Sequence, residues 1–182
     1  MPKFADTVDP FTTAILIIDM TNDFVAPDAP DFIAAGNQMA PRLGKFLDAC
    51  RQKRFRQIIF VSHCFRPDGR DMHFASRVAM GIQPAGPMEL PSDVHMEGTR
   101  GVEIYAPCGP KEGEITVKKH HYSAFDHTNL DVILRANQIK TVVITGACTD
   151  CCCSATAHDA FYLDYDVIML ADFCLLYTSR CV

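Results

Sequence analysis

The most regular pattern in the chain is a set of short, unbroken apolar runs. Thr13-Ala14-Ile15-Leu16-Ile17-Ile18-Asp19 is the clearest of them. A continuous apolar stretch of this length ending in a carboxylate suits a strand covered on both faces, with its carboxyl end open to solvent. Similar runs at Gln57 to Ser62, Glu114 to Val117, Thr141 to Thr145 and Asp166 to Ala171 bring the predicted strands to five. Helical stretches fall between them, near Asn37 to Lys53, Asn129 to Asn137 and Cys152 to Leu163. This alternation predicts βαβ units with right-handed crossovers, and so an α/β fold of three layers, α-β-α, around a mostly parallel open sheet. Ligands of such sheets collect beyond the carboxyl ends of the strands, near a topological switch point, so the chemistry is sought there.

Composition narrows the picture. The 182 residues, 48% of them hydrophobic, fit one domain with one core over 1–182. A net charge of −5 offers no basic field for a phosphate backbone, which argues against nucleic acid as a partner. The longest aliphatic run, Ala14 to Ile18, is too short to span a bilayer, and the first residues lack a signal-peptide pattern. A cytoplasmic protein without a membrane partner is expected. The nine cysteines are odd in number, and three are consecutive at 151 to 153, which makes a poor disulfide framework and points to reduced thiols. Cys148 and Cys151 have C-x-x-C spacing, but no second pair completes a zinc site. The stretch from Cys64 to Thr99, with turns such as Arg66-Pro67-Asp68-Gly69, is longer than an ordinary connection and is expected to act as a functional loop or lid.

Three strand ends carry candidate chemistry. Asp19 closes the first strand and is either a general base or a solubilising terminus. Lys118 and Lys119 close the third, where strand alternation sends them to opposite sides, so at most one shares a site with Asp19. His120 and His121 follow without a helical i, i+4 partner, a weak pattern for a metal. After the fourth strand, Gly146 permits a tight turn, Thr149 or Asp150 can cap a helix, and the cysteine triplet falls in its first turn. Free N–H groups and the dipole at a helix start favour a thiolate and can bind an oxyanion. Neighbours on a helix differ by roughly 100°, so only one cysteine can face the strand ends; the alternative is that all three simply pack.

These segments together resemble the isochorismatase-like cysteine hydrolases, a family that includes nicotinamidases, N-carbamoylsarcosine amidase, and ureidoacrylate and biuret amidohydrolases. "DMTNDF" is similar to the family's D-M-Q-N-D-F, with Thr21 in place of Gln. "KHHYSAFDHTNLDVIL" is similar to K-x-x-Y-S-x-F-x-x-T-x-L-D-x-x-L, a register that selects Lys119. "TGACTDCCCSATAHDAF" is similar to T-G-x-x-T-D-x-C-V-x-x-T-A-x-D-A, a register that selects Cys152, with Cys153 in place of Val. The resemblance implies a catalytic triad of Asp19, Lys119 and Cys152. It also implies an oxyanion site of the backbone N–H groups of Cys148 and Cys152, with a cis peptide at Ala147-Cys148. The implied activity is cysteine-dependent cleavage of a C–N bond in a small amide, ureide or carbamoyl compound, without a cofactor.

The departures sharpen the expectation. Nicotinamidases carry Asp-x-His and a further His after the second strand as metal ligands; here Cys64 and Arg66 stand at the first two positions, so no metal of that type is expected. His63, Asp71 and His73 leave room for another ion. Phe24, Arg66 and Tyr122 are candidate substrate contacts, Arg66 meeting a substrate carboxylate or pairing with Asp68 or Asp71. The alternatives are a non-catalytic binding or assembly module, a nicotinamidase- or isochorismatase-type hydrolase, or a redox role for the cysteine run. The family commonly forms homo-oligomers, dimers or tetramers. The segment 174–182 departs from the family pattern and is expected to be a non-native or truncated tail, leaving exposed apolar surface or an unpaired edge near the fifth strand.

Overall fold

β1 (Thr13–Ile18) is buried at all six positions, as its unbroken apolar sequence requires, and lies at the centre of the sheet. The computed structural model describes residues 8–79, 81 and 93–174. β2 (Gln57–His63), β3 (Ile115–Lys119), β4 (Thr141–Gly146) and β5 (Asp166–Cys174) complete a five-stranded sheet of order β3-β2-β1-β4-β5. Every pairing is parallel. The chain moves outward from β1 through β2 to β3 and then returns to the other side of β1 to begin β4. The switch point therefore lies between the carboxyl ends of β1 and β4.

Alternation along β1 divides the core. Ile15 and Ile17 pack toward α2 (Ala34–Gln52), against Leu43 and Leu47. Leu16 and Ile18 point to the opposite face, where Leu130 and Leu134 of α4 (Leu130–Ala136) and Ala160 of α5 (Ser154–Tyr162) cover them. The result is the three-layer α-β-α arrangement, with both faces of β1 and β4 covered, while β3 and β5 at the edges are buried only in part.

Several element bounds differ from expectation in ways that bear on the site. β3 runs on to Lys119, so both lysines belong to the strand. β5 continues to Cys174, so the expected tail begins with a residue that pairs with Gly146 of β4. Residues 175–182, including Cys181, lie outside the described residues. β5 is an edge strand that pairs, among the described residues, only with β4, and Phe161, Tyr162 and Met169 beside it are exposed. The predicted helix at Cys152 to Leu163 is in two parts: a π turn over Thr149–Cys153 and then α5. Neither Thr149 nor Asp150 caps it. The turn starts from Cys148 without a side-chain cap bond.

Two short helices escaped the periodicity, α1 (Asn22–Val25) and α3 (Phe74–Ala79), because a turn or so of helix is too short to show a period. α3 lies within the expected lid, whose residues 82–92 fall outside the described residues. Around that gap the two ends of the segment are tied to each other. The N–H of Phe65 donates to the carbonyl of His95 at 2.7 Å, and that of Glu97 to Phe65 at 2.7 Å.

Candidate active site

Strand ends on either side of the switch point supply the site. Asp19 follows β1 directly and takes a left-handed backbone conformation, φ 51°, uncommon for a residue with a side chain. That kink turns its carboxylate inward, where it is almost wholly buried. Its Oδ1 accepts the backbone N–H of His63 at 2.9 Å, and its Oδ2 lies 2.8 Å from Lys119 Nζ. Lys119 is fully buried, whereas Lys118 points out of the sheet to pair with Glu97. Strand alternation thus separates the two lysines as the sequence implies.

Lys119 Nζ makes two further contacts: it donates to the carbonyl of His121 at 3.0 Å and to Cys152 Sγ at 3.3 Å. Asp19, Lys119 and Cys152, 133 residues apart at the extremes, therefore converge on one buried ammonium. Burial alone would push the Lys119 ammonium down; Asp19 and Cys152 facing it outweigh this and hold it above the ordinary lysine value. The Cys152 thiol is pushed well above the usual range, first by burial and then by the Asp19 carboxylate, with Lys119 opposing. Burial and the facing carboxylate thus act on the Cys152 sulfur against the thiolate that a helix start and the Lys119 ammonium favour.

The loop after β4 sets the position of Cys152. Gly146 has φ 116°, and a Cβ there would stand 2.0 Å from the carbonyl oxygen of Ile18, so only glycine lets β4 run so close to β1. The following Ala147-Cys148 peptide is cis. The carbonyl of Cys148 accepts from the N–H groups of Cys151 at 3.3 Å and Cys153 at 3.1 Å rather than from that of Cys152. Cys153 faces the sheet and is buried, while Cys152 borders a cavity of about 110 Å³. Asp19, Phe24, Ile33, Tyr122 and Cys148 line the same cavity. Phe24 is steadied from behind by the ring of His95, whose centroid is 4.7 Å away.

Arg66 is not in that wall. Its guanidinium is exposed and bonds Asp68 at 3.1 and 3.2 Å, and its backbone N–H donates to Asp71 at 2.9 Å. The nicotinamidase-type ligand positions do not suit a metal either: Cys64 is a buried thiol raised to about 11 by desolvation, and Arg66 is a cation. His63, Asp71 and His73 do not gather. His63 is enclosed among Phe65 and His95, Asp71 faces His120, and His73 bonds Ser76.

Residues 13–181 match the family model described as the isochorismatase domain. The chain belongs to the isochorismatase family. Ureidoacrylate amidohydrolase of Rhizobium rhizogenes is 30% identical over 179 residues, covering 91% of this chain and 71% of that protein. A probable inactive nicotinamidase of Arabidopsis thaliana is 30% identical over 162 residues, covering 88% and 79%. Among solved structures, N-carbamoylsarcosine amidase from Thermoplasma acidophilum superposes with a TM-score of 0.74 at 27% identity, covering 93% of this chain and 87% of the other. This isochorismatase-family hydrolase thus has the architecture read from its apolar runs.

Sequence reasoning missed two contributors to the site. The peptide N–H of His63 holds Asp19, and backbone donors carry no side-chain signature. His95, which supports Phe24, comes from a loop some seventy residues away, and no spacing rule connects the two.

Proposed function

We propose that the chain is a cysteine-dependent amidohydrolase that cleaves a C–N bond of a small amide, ureide or carbamoyl compound. The observation that carries this reading is Lys119 Nζ, held 2.8 Å from Asp19 and 3.3 Å from Cys152 beside a small cavity. As Cys152 Sγ bonds to the substrate carbonyl carbon, its proton passes to Asp19. The oxyanion is received by the backbone N–H groups of Cys152 and Cys148. Asp19 then returns the proton to the nitrogen as the C–N bond breaks, releasing ammonia or an amine and leaving a thioester or thiocarbamate. Water gives a proton to Asp19 and attacks that carbonyl; as the C–S bond breaks, Asp19 returns the proton to sulfur, restoring the thiol and releasing the carboxylic or carbamic acid. Lys119 holds the Asp19 carboxylate in place and stabilises negative charge on sulfur as it develops.

Burial and the Asp19 carboxylate push the Cys152 thiol up, in keeping with a base that acts once a carbonyl is in place. The small apolar-walled cavity favours compact substrates, and the amidohydrolase relatives support a carbamoyl or ureide group. A dimer or tetramer is the assembly implied by the resemblance, and light scattering reads it. No described helix is long and apolar enough to cross a membrane, in keeping with an activity on dissolved small molecules.

An ammonia-release screen over ureidoacrylate, biuret, N-carbamoyl amino acids and simple amides tests the reading, with Cys152→Ser as the control. Turnover by the native chain that disappears in Cys152→Ser is expected. Unchanged turnover in that variant would falsify the nucleophile. A binding module without catalysis would instead show saturable binding, no ammonia, and no substrate protection of a single thiol against iodoacetamide.

A further inference from the structure

A second cluster of ligating side chains stands on the loop after β3. His121, Asp126 and His127 each bring one ligand atom within 4.8 Å of the others. Asp126 bridges the two imidazoles: Oδ2 meets His121 Nδ1, and Oδ1 lies 3.5 Å from His127 Nε2. We propose that His121, Asp126 and His127 form a binding site for a borderline divalent transition ion, Zn²⁺ or its neighbours, separate from the Cys152 thiol.

Donor type selects the ion. Two imidazoles and one carboxylate suit Zn²⁺, Co²⁺ or Ni²⁺, whereas Mg²⁺ and Ca²⁺ need more oxygen ligands. Metal–ligand bonds of about 2.0–2.2 Å put tetrahedral ligand atoms roughly 3.4 Å apart. The Asp126–His127 pair already has that separation. A small rotation of the Asp126 carboxylate exchanges its two histidine contacts for bonds to an ion, leaving a fourth position for water.

The loop frame is built before any ion arrives. Thr128 Oγ1 donates to the carbonyl of Ala124 at 2.6 Å and accepts the N–H of Leu130 at 3.1 Å. The N–H of Ala124 donates to Thr156 Oγ1 of α5 at 3.0 Å. His127 holds a left-handed backbone, φ 53°, which directs its ring toward His121, 5.8 Å away between centroids. His73, just before α3, packs edge-on to His121 at 5.2 Å. All three proposed ligands fall at unspecified positions of the pattern K-x-x-Y-S-x-F-x-x-T, so the site lies outside the residues that the motif names. It also touches the proposed catalytic machinery, because the His121 carbonyl receives Lys119 Nζ and the next residue, Tyr122, lines the cavity.

Co²⁺ titration of the full, reduced, chelator-stripped chain tests the proposal, read by absorption and by histidine ¹⁵N NMR. One equivalent of Co²⁺ should bind with weak visible bands, no sulfur-to-metal charge-transfer band, and shifted ring nitrogens of His121 and His127. Zn²⁺ should displace it. Asp126→Asn and His127→Asn, the latter tolerant of a left-handed backbone, should each lose at least about tenfold in affinity with unchanged circular dichroism. A sulfur charge-transfer band, absence of stoichiometric binding, or native affinity in both variants would overturn the assignment. None of these readouts depends on turnover, so failure here leaves the hydrolase reading to its own test.

Discussion

The backbone N–H of His63 donates to Asp19 Oδ1 at 2.9 Å, so the end of β2 as well as the Lys119 ammonium orients the carboxylate that faces Cys152. Asp19 is thereby clamped from two neighbouring strands. Its second oxygen remains directed at the ammonium, and as the base of the proposed reaction a carboxylate held this firmly would spend little energy on reorganisation.

Removing the cation should damage stability and activity together. Lys119→Met leaves Asp19 buried without its partner and is expected to cost about 3–5 kcal/mol, measured by urea unfolding. The double variant Asp19→Asn/Lys119→Met should regain most of that stability while remaining inactive in ammonia release. Recovery of turnover in the double variant would show that the pair is structural rather than catalytic.

Stability should fall in mildly alkaline solution through His95. Burial alone would lower this imidazole, but hydrogen bonds to Asp23 and Asp31 outweigh it and raise the group from 6.5 to about 9. A folded value above the unfolded one stabilises the native state fully below about 6.5, and the contribution disappears as pH rises through 9. With Asp31 half exposed, about 2 kcal/mol is expected. Thermal midpoints from pH 6 to 9.5 should decline for the native chain, and this part of the decline should be missing in His95→Gln.

Gly146 and Gly113 should separate steric collision from backbone strain. Both have positive φ, 116° and 85°, but only at Gly146 does an added Cβ meet backbone, 2.0 Å from the Ile18 carbonyl oxygen. Gly113→Ala should cost about 1–2 kcal/mol, the strain of the conformation alone. Gly146→Ala should yield little folded protein. Comparable urea midpoints for the two variants would contradict the close approach of β1 and β4.

Pocket contacts should divide the three substrate-contact candidates. Phe24→Ala and Tyr122→Ala open the apolar wall and should raise KM by roughly tenfold for a compact substrate, in line with about 1–3 kcal/mol for a lost apolar contact. Arg66→Ala should leave kcat/KM within about twofold, because that guanidinium is engaged with Asp68 outside the wall. A large loss of kcat/KM in Arg66→Ala would mean that the loop carries Arg66 onto bound substrate.

Much of this architecture is legible in the amino-acid sequence. Parallel strands announce themselves as apolar runs, and all five lie where those runs are, although only β1, β2 and β4 are buried nearly throughout and the edge strands β3 and β5 are not. Asp19, Lys119 and Cys152 are legible as strand-end and helix-start residues matching three ordered motifs. Where they stand relative to one another is decided in three dimensions. So are the burial and the facing carboxylate that push the Cys152 thiol up, the engagement of Arg66 by Asp68, and the meeting of His121, Asp126 and His127 across a loop with no helical spacing. Local sequence determines which residues are apolar enough to form a strand and what chemistry each side chain brings. Distance, burial and the charge of a facing neighbour depend on segments far apart in the chain, and these decide whether a cysteine is a thiol or two histidines become a pair of ligands.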